Sequence, residues 1–187
     1  MGPEEAKDIT KAFLSNRRKV CEALFKVPHK VTKELIQYRY NSALEYMESQ
    51  LSGKDYILKS RQLYITTYFC LQDLLTATYY PNFSGILLCN KDDDAKTFYD
   101  IYRFFYNQMP EEIEVAKGFP FPFKPKLVTD NVHLLELYHK DGNSYLRLQG
   151  AQSLSIARGF RADRLHATEF AIWDQEYARK AMTAVLG

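Results

Sequence analysis

The chain has 187 residues, a formal net charge of +2 and 46% hydrophobic residues. This length corresponds to one domain with a buried core, and the composition excludes a disordered chain, a collagen or a coiled coil. The near-balanced charge neither requires nor excludes a nucleic-acid partner. The longest apolar runs are far shorter than the ~20 residues of a membrane-spanning helix, so we expect no membrane partner.

The amino-terminal segment and the cysteines indicate a cytoplasmic protein. The first ten residues are acidic and polar, unlike a signal peptide. Cys21, Cys70 and Cys89 are odd in number and widely spaced, which is typical of reduced thiols. Cys70 and Cys89 lie in apolar runs and are predicted to be buried.

The first part of the chain is predicted to be mostly helical. Residues 4–26 carry apolar side chains near helical spacing, and Pro28 ends that helix because proline lacks the helix donor. A second helix is predicted over 32–50, with a threonine as its cap. A short buried strand is predicted at 56–58, followed by a helix over 66–79.

The middle of the chain begins with a continuous apolar strand at 85–89. Asp92, Asp93 and Asp94 then open a helix that is predicted to run to 108, because acidic side chains favour a helix N-terminus. A magnesium site is the alternative interpretation of these three acids. Residues 110–126 hold four of the seven prolines and are predicted to be an irregular connection with buried phenylalanines.

The last part of the chain contains a hairpin signal. Residues 132–149 alternate in polarity on both sides of an Asp-Gly turn, which predicts two antiparallel strands. A third core strand is predicted at 164–168 and a final helix at 174–186. The alternation of strands and helices favours an α/β fold with a largely parallel sheet, in which ligands bind at the carboxyl ends of the strands.

Three blocks of sequence carry a resemblance to a known family. They are 55–67, DYILKSRQLYITT; 87–110, LLCNKDDDAKTFYDIYRFFYNQMP; and 157–174, ARGFRADRLHATEFAIWD. In their order and spacing over residues 35–187 they resemble the ATPase domain of phage terminase large subunits, the motors that package viral DNA. The first block resembles the family's Walker A pattern, approximately K-x-R-Q-x-G-x-[ST]-T, and the third resembles the block that holds Walker B.

This resemblance implies a P-loop NTPase-like fold that binds ATP and Mg²⁺. It assigns Arg61 to the phosphates, Glu169 to the attacking water and Arg158 to the ATP of a neighbouring subunit. Thr66 and Thr168 are the implied Mg²⁺ ligands. The implied ATP-binding loop consists of Lys59, Arg61, Gln62, Tyr64, Ile65, Thr66 and Thr67.

Three positions depart from the family pattern. Tyr64 replaces the Walker A glycine, Ile65 replaces the standard lysine with Arg61 as its substitute, and Thr168 replaces the Walker B aspartate. A tyrosine in the usual loop path is expected to avoid positive φ or to shift the loop. These departures leave two functions open, an ATPase and a non-hydrolysing terminase-like domain that binds DNA, portal or a partner subunit. An unrelated α/β interaction domain is a third interpretation.

The resemblance also implies how the chain is organised and what it binds. Residues 1–187 would form one ATPase domain with a helical extension at 1–30, without the family's nuclease domain. The implied partners are double-stranded DNA, the portal protein and the small terminase subunit. The implied assembly is a homo-oligomeric ring in the host cytoplasm, with a monomer expected in isolation.

Overall fold

The structure is a computed structural model that describes residues 2–29, 31–57, 63–151 and 162–168, together with 175, 176, 178 and 179. The chain divides into two compact units. Unit 1 comprises Met1–Leu71 and Asn107–Lys124, and unit 2 comprises Gln72–Tyr106 and Pro125–Gly187. In the described part of the chain, no helix is long and apolar enough to cross a membrane.

Unit 1 is built from short helices and two small two-stranded sheets. Its helices are α1 Pro3–Ser15, α2 Arg17–Leu24, α3 Ser42–Gln50 and the first turns of α4 Ile65–Tyr79. Its antiparallel strand pairs are β1 Lys26–Pro28 with β2 Leu35–Gln37, and β4 Glu112–Ala116 with β5 Phe119–Pro122. Helix α1 packs against β4 and β5.

The helix predicted over 4–26 is two helices. Asn16 ends α1 and caps α2, because its side-chain oxygen accepts a hydrogen bond from the amide of Lys19 at 3.0 Å. The Asn16 cap therefore separates two helices, although the apolar side chains keep helical spacing across it.

The helix predicted over 32–50 is also wrong in its first part. Strand β2 occupies 35–37, and Lys33 lies in a turn with φ of 63°. Asn41 is the true cap of α3, since its side chain accepts from the amide of Leu44 at 2.9 Å. The side-chain amide of Gln37 donates to the carbonyls of Glu22 and Phe25 at 2.7 and 2.8 Å, which helps to hold β2 where a helix was predicted.

Two other predictions for unit 1 need correction. Tyr56 and Ile57 are not in a strand, and Tyr56 is 80% exposed, while Leu58 lies outside the described residues. The segment 110–126 is a β4–β5 hairpin, not an irregular connection, and it turns at Gly118 with φ of +82°. Its prolines are tolerated because a two-stranded sheet leaves one side of each strand without ladder partners.

Unit 2 is built on a five-stranded mixed sheet with the order β6-β7-β8-β3-β9. The strands are β3 Ser84–Cys89, β6 Leu127–Asn131, β7 Leu134–Leu137, β8 Ser144–Gly150 and β9 Arg164–Ala167. Strand β3 is parallel to its two neighbours β8 and β9, whereas β7 is antiparallel to both β8 and β6. The protein is therefore a mixed α/β structure, and the prediction of a largely parallel sheet is only half right.

Most predicted elements of unit 2 are confirmed. The helices α4 and α5 Asp92–Gln108 and the strands β3, β8 and β9 lie within one residue of the predicted positions, and β7 is shorter than predicted, by two residues at its start and three at its end. Strand β6 was not predicted. Of the helix predicted over 174–186, only 175, 176, 178 and 179 are described, and they are helical. Cys21, Cys70 and Cys89 are all buried free thiols, as predicted for the last two.

Candidate functional site

Tyr64 lies at the start of α4 in a conformation that tyrosine rarely adopts. Its φ is 58°, in the left-handed region, so it does not avoid positive φ. Its carbonyl accepts the first helical hydrogen bond of α4, from the amide of Tyr68 at 2.8 Å. The left-handed conformation costs a residue with a Cβ about 1–2 kcal/mol. Tyr64 therefore stands in a backbone position that suits glycine, which is the residue of the terminase pattern there.

The side chain of Tyr64 is hydrogen-bonded to another element of unit 1. Its hydroxyl donates to the carbonyl of Pro28 at the end of β1, at 3.4 Å. The preceding carbonyl, of Leu63, accepts from the side-chain amide of Asn41 at 3.5 Å. Two elements of unit 1 thus contact the segment that enters α4, and they help to hold Tyr64 in its strained conformation.

The first turn of α4 offers backbone donors and hydroxyl groups. The amides of Ile65, Thr66 and Thr67 precede the first helical hydrogen bond, so they have no acceptor within the helix. Ile65 is buried, whereas Thr66 and Thr67 are half-buried. The first turn, which is fully described, contains no acidic residue. Such a turn attracts an anion, because the helix dipole places partial positive charge at its N-terminus.

The other described site residue, Thr168, follows β9 in unit 2. Its amide donates to the carbonyl of Leu88 on β3 at 2.9 Å, and the residue is only 5% exposed. Ala167 is the register partner of Leu88, so Thr168 lies at the carboxyl edge of the parallel strands. This is the edge at which α/β sheets bind their ligands.

The acids that begin α5 have structural contacts at the same edge. Asp92 accepts a hydrogen bond from the amide of Gly150 at the end of β8, at 2.8 Å, and Asp94 accepts from the amide of Lys91 at 3.1 Å. A Cβ at Gly150 would lie 2.5 Å from the amide nitrogen of Asp92, so only glycine permits this approach. These contacts account for Asp92 as a link between α5 and β8 and for Asp94 as a residue that caps the start of α5. Among the described residues, no group of three or more His, Cys, Asp or Glu side chains could hold a metal ion.

The thiol of Cys89 also lies at this edge, and its surroundings make it unreactive. Burial raises its pKa to about 12, with a further contribution from the carboxylates of Asp94 and Asp92. Its Sγ lies 3.1 Å from the carbonyl of Lys91 and 3.3 Å from that of Gln149. A thiolate nucleophile at this position is therefore disfavoured.

The predicted site residues fall into three groups. Tyr64, Ile65, Thr66 and Thr67 are contiguous in unit 1, and Thr168 belongs to unit 2. Lys59, Arg61, Gln62, Arg158 and Glu169 lie outside the described residues. The four residues that lead into α4 lie next to one another. Thr168 lies at a strand end, as predicted.

One polar cluster was not predicted from the sequence. The carboxylate of Asp73 in α4 accepts hydrogen bonds from Arg164 at 2.9 Å and from the hydroxyl of Tyr102 at 3.2 Å, all within unit 2. The sequence does carry one signal for this cluster. Asp73 is the only charged residue of α4, whose other residues are apolar or polar and uncharged. A single acid in such a helix indicates a buried partner.

Comparison with known proteins does not assign this chain to a family. No protein-family model matches it, and no curated protein matches it significantly.

Proposed function

We propose that this chain is the ATPase domain of a phage terminase-like DNA-packaging motor with a P-loop NTPase-like fold. The observation that carries the proposal is the left-handed φ of Tyr64, at 58°. The terminase resemblance rests on residue types alone, and it puts a glycine at this position. A backbone conformation that suits glycine, directly before the first residue of a helix, is what a phosphate-binding loop requires.

The chemistry of the proposed site follows from the residues in and around that helix start. The amides of the first turn would hold the phosphates of ATP, with Arg61 and Lys59 adding positive charge. Thr66 and Thr168 would be ligands of Mg²⁺, which supplies electrostatic stabilisation of the transferred phosphoryl group. Glu169 would orient the attacking water, and Arg158 would act on the ATP of a neighbouring subunit. DNA, portal and small subunit would be the partners of the assembled ring.

A non-hydrolysing terminase-like domain is the second candidate, and Thr168 favours it. The family's aspartate is replaced by a neutral residue that is only 5% exposed. A hydroxyl is a weaker ligand for Mg²⁺ than a carboxylate, because hard cations prefer charged oxygen ligands. In this case the domain would bind DNA, portal or a partner subunit without turnover.

Calorimetric titration of ATP with Mg²⁺ tests the proposal. We expect weak or absent binding by the natural chain and at least about tenfold tighter binding by Tyr64→Gly, which corresponds to about 1.4 kcal/mol. Tyr64→Ala is the matched control, because it removes the ring but keeps the Cβ that disfavours the left-handed conformation. It should gain less than the glycine variant.

Three results separate the candidates. Binding with hydrolysis supports the motor, and binding without hydrolysis, at any protein concentration, supports the second candidate. Absence of ATP binding in both the natural chain and Tyr64→Gly would exclude a nucleotide site at the start of α4.

A further inference from the structure

The β1–β2 sheet lies within unit 1, and side chains of that unit close the edge of β1 that faces away from β2. The backbone amide of Lys26 donates to the side-chain oxygen of Gln108 at 2.7 Å, and the side-chain amide of Gln108 donates to the carbonyl of Lys26 at 3.1 Å. Pro28 has no N–H, and its carbonyl accepts from the hydroxyl of Tyr64. Gln108 therefore takes the place of a neighbouring strand at this edge.

The outward edge of β2 is open. The amide of Tyr38 donates to the carbonyl of Phe25 at 2.9 Å, which establishes which residues of β2 face β1. Bonded pairs alternate along antiparallel strands, so Leu35 and Gln37 direct their backbone amides and carbonyls away from β1. Within the described part of the chain, these four backbone groups have no hydrogen-bond partner.

Two other sheet edges carry features that block the addition of a strand. Strand β5 has prolines at 120 and 122, and β6 has a register shift between 127 and 129. Such features protect natural sheets, because an open edge is a template for another strand. Strand β2 has no proline and a regular register with β1, and its side chains of Leu35 and Ile36 are 54% and 42% exposed.

The charges beside this edge are mostly positive. Lys33 precedes β2 and Arg39 follows it, and both are exposed. Arg39 forms an ion pair with Glu22 at 3.4 Å, but 66% of its side chain stays accessible. Glu34 is the only acid between the two cations, and it alternates to the opposite face from Leu35. Charge complementarity therefore favours a partner with acidic side chains.

The backbone groups of the edge indicate the class of that partner. Two amides and two carbonyls need both acceptors and donors, which an extended peptide supplies and a nucleic-acid backbone, with acceptors only, does not. A second copy of this chain uses all four groups only if Leu35 pairs with Gln37 of the other copy. That register places Lys33 opposite Arg39, and like charges directly opposite are destabilising.

We propose that the outward edge of β2 binds an extended acidic segment of a partner protein. The segment pairs antiparallel with Leu35 and Gln37 and places acidic side chains opposite Lys33 and Arg39. In this mode the main-chain hydrogen bonds provide affinity and alternate side chains provide specificity. The proposal does not depend on nucleotide binding. The competing explanation is that water alone satisfies the edge of this three-residue strand.

The experiment measures fluorescence anisotropy of a labelled peptide, Glu-Thr-Val-Thr-Val-Thr-Glu with blocked ends, titrated with the full chain. In the proposed register its valines pair with Leu35 and Gln37, and its glutamates lie opposite Lys33 and Arg39. One modified peptide has N-methyl groups on both valines, which removes the amides that donate to β2. The matched control has them on the first and last threonine, whose amides point away from β2.

We expect the unmodified peptide to bind. Methylation of the valines should weaken binding by at least about tenfold, because two hydrogen bonds are lost, whereas methylation of the threonines should change it by less than about threefold. Replacing both glutamates by lysine should weaken binding by at least about fivefold, and added salt should reduce that difference.

Leu35→Pro tests the same edge from the side of the protein. It removes an N–H that faces away from β1, so the β1–β2 hydrogen bonds are kept, and binding should weaken by at least about tenfold. Leu35→Thr is the matched control, since it loses the leucine side chain but keeps the N–H and a strand-forming residue. Circular dichroism shows whether both variants fold. If Leu35→Pro does not, the two methylated peptides decide the question on the natural chain.

Four results would overturn the proposal. They are absence of binding at millimolar peptide and equal losses for the two methylated peptides, together with two findings that assign the edge to another occupant. A short oligothymidylate that binds the natural chain but not Leu35→Pro would assign it to nucleic acid. A dimer seen by sedimentation in the natural chain and absent in Leu35→Pro would assign it to a second copy.

Discussion

Unit 1 buries several tyrosines around one carboxylate, whereas unit 2 buries a carboxylate that is paired with an arginine. In unit 1 the hydroxyls of Tyr68 and Tyr40 donate to Glu48 at 3.0 and 3.5 Å. The ring of Tyr40 contacts the rings of Tyr38 and Tyr68 edge to face, with centroids 5.9 and 5.7 Å apart. We call these four residues the tyrosine cluster. In unit 2 the corresponding group is Asp73 with Arg164 and Tyr102.

The two groups differ in how completely their polar atoms are satisfied. The hydroxyl of Tyr38 is buried and has no hydrogen-bond partner within the described part of the chain. Burial, with smaller contributions from neighbouring groups, raises the pKa of this hydroxyl above its ordinary range, so it stays neutral. Both oxygens of Asp73 have partners. Burial of a large aromatic ring can offset the free-energy cost of one unpaired hydroxyl, but it does not offset the much larger cost of an unpaired buried charge.

The largest effect is expected from breaking the charged group. Asp73→Ala leaves Arg164 and Tyr102 without their common acceptor. Removing one partner of a fully buried pair costs about 3–5 kcal/mol, and the partial exposure of Arg164 should reduce this to about 2–3 kcal/mol because water can reach the guanidinium. Urea unfolding of the variant and the natural chain measures the difference.

The control for this change is Tyr102→Phe. It removes one neutral donor from the same carboxylate and should cost about 1 kcal/mol, the usual net value of a hydrogen bond. Equal costs for the two variants would show that the charge of Arg164 contributes nothing, and the contrast between the units would disappear.

A smaller effect of opposite sign is expected in the tyrosine cluster. Tyr38→Phe removes a buried hydroxyl that has no partner, so it should raise the free energy of unfolding by about 1 kcal/mol. Tyr68→Phe, which removes the hydroxyl bonded to Glu48, should lower it by a similar amount. Thermal or urea unfolding checks both variants. A loss of stability in Tyr38→Phe would mean that its hydroxyl has a partner after all.

The smallest effect concerns a carboxylate near the surface of unit 2. Glu136 on β7 accepts from the hydroxyl of Thr129 and the side-chain amide of Asn143, both at 2.7 Å, and these bonds lower its pKa below the ordinary value of 4.5. Because the folded pKa is the lower one, the stabilisation is present above about pH 4.5 and is lost as the pH falls through the folded pKa.

Glu136→Gln tests this dependence. We expect the free energy of unfolding of the natural chain to fall more steeply with acidification below that pH than that of the variant. Thr129→Val removes one of the two donors and should give an intermediate slope. Parallel curves for all three proteins would contradict the assignment.

The elements of unit 2 were predictable because their signals are local. Strand β3 is a continuous apolar run, the acids at 92–94 mark a helix start, and the Asp-Gly turn marks the β7–β8 hairpin. The position of Thr168 at a strand end followed from the same kind of signal. Unit 1 was harder, because its helix ends are decided by Asn16 and Asn41. Their side chains compete with an apolar spacing that continues past them.

The sequence by itself determined where most helices and strands of unit 2 begin and end, since propensity, capping and turn chemistry act over a few residues. Only the tertiary structure decided that β8 pairs with β3, that Tyr64 adopts a left-handed φ, and that Asp73 meets Arg164. Each of these depends on residues far apart in the chain, as the contacts of Tyr64 with Pro28 and of Asp73 with β9 illustrate. Such contacts leave no periodic pattern in the sequence, because they arise from packing between elements and not from the local backbone.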